Sequence, residues 1–226
     1  MTDQSLLRLL AWLSPGFPVG AYSYSHGIEY AVEAGKVHNV TSLTRWVETV
    51  LEIGSGRADA ILFCTAWRAV ATDDARALHA VAEHAAALRP TAELGLESTA
   101  QGDAFAKAIA TAWPQRGTGP LSDVWDGPVA YPVAVAAACA AHDIALTDGL
   151  GAYLHAFAAN LISAGVRLIP LGQSDGQRIM AAMEISILRM TAVVSDLPLT
   201  DAGSAAWMVD YCSMKHETQR TRLFRS

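Results

Sequence analysis

Apolar positions recur at helical spacing from the start of the chain. Leu6, Leu7, Leu9, Leu10 and Leu13 outline a short amphipathic helix that must stop before Pro15. Residues 14–20 hold two prolines and two glycines, so they form a stiff connector. Thr41 and Ser42 predict the cap of a helix running to about Ile53, with Trp46, Val47, Val50 and Leu51 on one face. Gly54, Ser55 and Gly56 break it, and a second helix carries Ala60, Ile61, Cys64, Trp67 and Ala71. Thr72, Asp73 and Asp74 cap a third, closed by Arg89 and Pro90; the next runs from Glu93 to Trp113.

Residues 114–131 read as an extended Gly/Pro connector, the best place for a boundary between lobes. Pro132 sits where a first helical turn tolerates it, opening an alanine-rich helix to about His142. Further helices are predicted from Thr147 to Ile169 and from Gly176 to about Ser195, and Thr200 and Asp201 are expected to cap a last one. No stretch alternates with the period of a strand, and no fixed-length repeat appears. The pattern predicts an all-α, single-domain bundle of about eight to ten helices over residues 1–212, followed by a distinct tail, 213–226.

That tail changes the picture that composition alone gives. The chain carries a net charge of −6, yet the tail holds Lys215, Arg220, Arg222 and Arg225 against Glu217, leaving the remainder at about −9. An acidic body disfavours nucleic acid and anionic membrane as partners. No run nears the ~18 consecutive apolar residues of a membrane span, and the first residues lack a secretory leader, so a cytoplasmic location is expected. Charged residues make up only 17% of the chain. That is low against the ~25–35% of an ordinary soluble surface and suggests a face covered by another protein, with alanine richness contributing. The tail's Leu223 and Phe224 are large apolar residues where order is usually lost. It is either stray sequence or an arm that a partner orders on docking.

Candidate chemistry is sparse. Cys64, Cys139 and Cys212 are scattered and odd in number, which predicts reduced thiols. Neither a phosphate-binding loop nor a dinucleotide fingerprint is present, and no cofactor is implied. His79, Glu83 and His84 lack the four-residue histidine spacing of a zinc helix and read as a solvated face; no metal site is expected. Tyr22, Tyr24, His26, Glu29 and Tyr30 crowd into nine positions. With His26 and Glu29 three apart on a helix, a small hydrolase using Tyr22, His26 and Glu29 is one reading. A polar surface patch or a tyrosine-rich binding surface are the others.

Three stretches then resemble the UreF family of urease accessory proteins. They are Ser14-Pro15-x-x-Pro18-Val19-Gly20-Ala21-Tyr22-Ser23-Tyr24-Ser25-x-Gly27-x-Glu29, the run Ala164–Gln173 followed by Asp175-Gly176-Gln177, and the tail motifs Ser213-Met214-x-His216-Glu217 and Arg222-Leu223-Phe224-x-Ser226. His26, Ile28 and Arg220 depart from the family's usual residues. The resemblance implies an all-α homodimer that is not an enzyme. Such a protein would bridge UreD (also called UreH) and apo-urease to the GTPase UreG and regulate GTP-dependent nickel delivery. It also implies that Tyr22, Tyr24, Glu29, Arg167, Gln173, His216, Glu217, Arg222, Leu223 and Phe224 form the partner-binding surface, with a tail that orders on meeting UreD.

Overall fold

The computed structural model describes residues 2–88, 90–114 and 121–226. Its ten α-helices are α1 (Asp3–Trp12), α2 (Ile28–Glu33), α3 (Val40–Ile53), α4 (Ser55–Ala71), α5 (Ala75–Ala87), α6 (Ala92–Ala112), α7 (Tyr131–Ala141), α8 (Leu146–Leu168), α9 (Gln173–Val193) and α10 (Trp207–His216). No strand occurs among the described residues, so the chain is all-α.

Polar side chains cap four of the helix starts, those of α1, α3, α5 and α6. Asn39 rather than Thr41 caps α3 and shares a capping box with Ser42. Asp74 caps α5 and Thr91 caps α6, each accepting a backbone N–H three residues on. The break after α3 is Gly54 alone, since Ser55 and Gly56 already belong to α4. The last helix differs most: Thr200 and Asp201 lie in a 3₁₀ turn, Leu199–Asp201, and α10 begins only at Trp207. In the predicted 114–131 connector, residues 115–120, with Gly117, Gly119 and Pro120, lie outside the described residues, as does Arg89. The rest of the connector returns to the body, Leu121 packing in the core and the Val129 N–H donating to Asp103.

The core is built around α4, which touches α3, α5, α7, α8 and α9. Across from it, α7 buries eight consecutive residues, Pro132–Cys139, five of them alanine or proline. A helix buried all round gains little from amphipathicity, and small side chains let α4 and α6 approach it closely. An aromatic chain of Trp12, Phe105, Tyr131, Tyr153 and Phe157 runs through the interior with ring centroids 5.5–6.5 Å apart.

Two apolar features depart from expectation. Leu6, Leu7 and Leu10 of α1 face outward, while Leu9 and Trp12 hold the helix to the body. And α8, with a window of mean hydropathy 1.2, is long and apolar enough to cross a membrane by length and composition. Half of that window is buried, and α8 packs against α2, α3, α4, α7 and α9 as a core helix. The three thiols are buried and free. Burial pushes Cys64 and Cys212 up to about 11 and Cys139 to about 12, which keeps them as protonated core groups.

Candidate partner-binding site

Residues 222–226 lie against the protein's own body, held by buried acids. Glu29, in the first turn of α2, accepts the Leu223 N–H at 2.7 Å and the Phe224 N–H at 2.9 Å. Glu93, in the first turn of α6, accepts Arg222 Nη1 at 2.8 Å. Between the two acids stands His216, wholly buried at the end of α10, with Nδ1 2.7 Å from Glu93 Oε2 and Nε2 3.1 Å from Glu29 Oε2. Each ring nitrogen of His216 thus faces one carboxylate oxygen. One turn along α6, Glu97 Oε2 accepts Ser226 Oγ at 2.7 Å and faces His26 Nδ1 at 3.3 Å. Three acids, Glu29 of α2 and Glu93 and Glu97 of α6, thus hold one five-residue stretch, backed by His216 of α10 and His26 of the segment before α2.

Backbone pairing completes the latch. Arg225 N–H donates to Ser23 C=O and Ser25 N–H to Ser226 C=O, both at 2.8 Å, and Ser25 Oγ also donates to Ser226 C=O. Gly27 lets α10 pack close by: its φ is +79°, and a Cβ there would stand 3.0 Å from the Ser213 nitrogen of α10. Thr91 Oγ1 meets Ser213 Oγ at 2.7 Å, and Glu217 accepts the Ala92 N–H, so the end of α10 is also pinned to the start of α6.

Above the buried acids lies an exposed layer. Phe224 is buried beneath the Arg167 guanidinium, 4.3 Å above its ring. Arg167 also donates to the Tyr22 C=O at 2.8 Å, and Arg225 lies over the buried Tyr24 ring at 5.9 Å. Leu223 remains 78% exposed and Tyr22 67%, beside the exposed Arg220 and Arg225. Of the ten predicted residues, Tyr22, Tyr24, Glu29, Arg167, His216, Arg222, Leu223 and Phe224 meet around the tail. Glu217 is pinned to α6 next to them. Gln173 stands apart, exposed at the start of α9.

The residues missed at the sequence level are Glu93, Glu97 and Ser25. Their one visible signal was two acids four apart in a stretch otherwise dominated by alanine and other small residues. The helical neighbourhood expected for His26 and Glu29 is absent. His26 has φ +56° and lies before α2, its Nε2 2.6 Å from Ser55 Oγ, while Glu29 is taken up by His216 and the tail. Among the described residues no group of three His, Cys, Asp or Glu side chains is arranged to hold a metal ion. His79 instead packs edge-on against Trp125, with ring centroids 5.4 Å apart.

Fold and site together define an all-α protein whose distinguishing feature is a basic, apolar-tipped segment strapped over buried acids. The sequence model of one family, UreF, matches residues 37–184. Proteins named urease accessory protein UreF align along nearly the whole chain. One from Rhodopseudomonas palustris (strain BisB5) is 50% identical over 98% of this chain and 91% of its own length. One from Granulibacter bethesdensis is 49% identical over 99% and 95%, and one from Magnetococcus marinus 46% over 100% and 99%. The chain belongs to the UreF family of urease accessory proteins.

Proposed function

We propose that this chain is a non-enzymatic subunit of the urease maturation assembly. In this reading it joins UreD and apo-urease to the GTPase UreG and regulates GTP-dependent delivery of nickel, the assembly's cargo. The observation that carries the reading is the exposed layer over the latch. Tyr22, Leu223, Arg220 and Arg225 project from a rigidly held base, the aromatic, apolar and arginine mixture that protein interfaces favour. The acids beneath are occupied by the chain's own groups, which supports a scaffold role over hydrolysis by Tyr22, His26 and Glu29. Tyr22 is exposed while the other two are buried in separate hydrogen-bonded pairs.

The outward leucines of α1 and the exposed Ile185 and Leu188 of α9 are further apolar surface that a second copy of the chain would cover, in keeping with a homodimer in the cytoplasm. The separate docking tail, 213–226, is kept as part of the proposal, with the latched position as its form in the free protein. The test is urease activation in nickel-supplied cells whose own UreF gene is deleted. The full chain should restore activity. A chain carrying Leu223→Asp should restore about a tenth or less, because a charge would be buried at the interface. Equal activity with both chains would remove the tail surface from the account.

A further inference from the structure

A cavity of about 670 Å³ opens between α4, α6, α8 and α10 and shares Glu97 with the tail latch. Its wall carries three carboxylates, Asp59, Glu97 and Asp210, and no lysine or arginine among the described residues. Its facing histidine, His26, is already engaged by Glu97 and Ser55. Tyr153 donates to Asp59 Oδ2 at 2.6 Å; among the described residues Oδ1 has no hydrogen bond. Gln101 is a second and independent sign. Its side chain lines the cavity, it is only 6% exposed, and among the described residues its amide makes no hydrogen bond. An amide without a protein partner on a cavity wall is placed for something that enters.

The chemistry of the visitor follows from the walls. Free carboxylate and amide oxygens ask for a donor with several N–H groups, and negative charge asks for a cation. Tyr131 and Phe157 add aromatic lining of the kind that suits a planar cation. At the mouth, α10 presents Trp207, 78% exposed, with Tyr211 and Met214. A free small cation has no use for that apron, whereas a peptide carrying the cation would cover it. An apolar aromatic rim around a polar pit is the arrangement of an interface hot spot. Burial lifts Asp59 to about 6, so the free protein keeps this acid at a cost that a bound cation would offset.

We propose that this cavity receives an arginine side chain presented by a partner protein of the chain, bound by Asp59 and Gln101 and covered by Trp207. The inference rests on the accessory-subunit reading, and the two residues that bind the visitor, Asp59 and Gln101, are not among those that hold the tail. The test uses the full chain alone. The peptide acetyl-Gly-Arg-Gly-amide, its citrulline counterpart and methylguanidinium are each titrated at constant ionic strength and followed by the indole and glutamine side-chain amide resonances. The arginine peptide should shift the Trp207 and Gln101 signals saturably and bind about tenfold more tightly than either comparator. Asp59→Asn should weaken it by about tenfold or more, with the thermal melt showing a folded protein, and Trp207→Ala should reduce binding of the peptide more than that of methylguanidinium.

Equal binding of the citrulline peptide, an unchanged Asp59→Asn affinity, or no shift at Trp207 would each overturn the proposal. Methylguanidinium binding as tightly as the peptide would assign the site to a small cation and overturn it as well. Tail-dependent assembly is read in a different experiment, so failure here and failure of the accessory reading are separable.

Discussion

Glu29 carries more of the latch than any other side chain. It accepts two tail amides and faces His216 while almost wholly buried. Replacing it with alanine leaves two N–H groups and an imidazole without their acceptor. Breaking a buried pair in this way costs about 3–5 kcal/mol. The expected outcome is a drop of that order in denaturant-derived stability, with hydrogen-exchange protection of the Leu223 and Phe224 amides lost and that of α4 and α7 kept above it. Asp59 behaves oppositely. Its folded pKa, about 6, lies above the ordinary 3.8 because burial outweighs the Tyr153 hydrogen bond. The native state therefore binds the proton more tightly. The acid's contribution is favourable below about pH 4, is lost as pH rises through about 6, and is a net cost at neutrality. Asp59→Asn should raise the melting temperature at pH 7 by a few degrees, on the order of 2 kcal/mol, and the gain should vanish near pH 4. A constant gain at both pH values would contradict the assigned cause.

Among the elements, α6 and α10 form the frame of the site, and the segment before α2 is the strip to which the tail pairs. Gly27 is where α2 and α10 come together. An alanine there would need a positive φ and would press on the Ser213 backbone, so Gly27→Ala should cost about 1–3 kcal/mol. It should also loosen α10, seen as faster amide exchange at Val209 and Ser213; an unaltered melt and exchange pattern would sink this account of the α2–α10 contact. Most helices were legible because caps and breakers are local: Asp74 and Pro132 act within one turn. The start of α10 was misplaced because residues 197–206 are held from outside their own turn. The Ala205 N–H donates to Ile53 C=O, Arg57 donates to Asp201 C=O, and Ala202 and Ala206 are buried in the core.

At the scale of the molecule, the tail's importance was legible and its resting place was not. Charge contrast and the Leu223–Phe224 pair marked it as special. The acids that hold it lie far back along the chain, Glu29 nearly two hundred residues before Phe224 and Glu93 more than a hundred before Arg222. No periodicity or spacing rule reaches across such separations. Glu93 marked only a helix start in the sequence and Glu97 drew no reading, while His26 read as helical until its left-handed backbone aimed it at Glu97 and Ser55. The cavity beside α10 had no sequence signature at all, since its wall draws on six separate stretches. Taken whole, the protein offers a rigid helical body, outward apolar faces on α1 and α9, and a latched tail whose outer layer is free for a partner.

The central claim is that this chain assembles with UreD, and through it UreG, by way of its last residues. The most direct measurement is copurification with tagged UreD in the presence of UreG, for the full chain and for a chain lacking residues 220–226, each checked for helicity by circular dichroism. The account predicts a ternary complex with the full chain, and at least a tenfold loss of both the shortened chain and UreG from the UreD eluate while helicity is retained. Equal recovery of UreG and of the shortened, folded chain would contradict it.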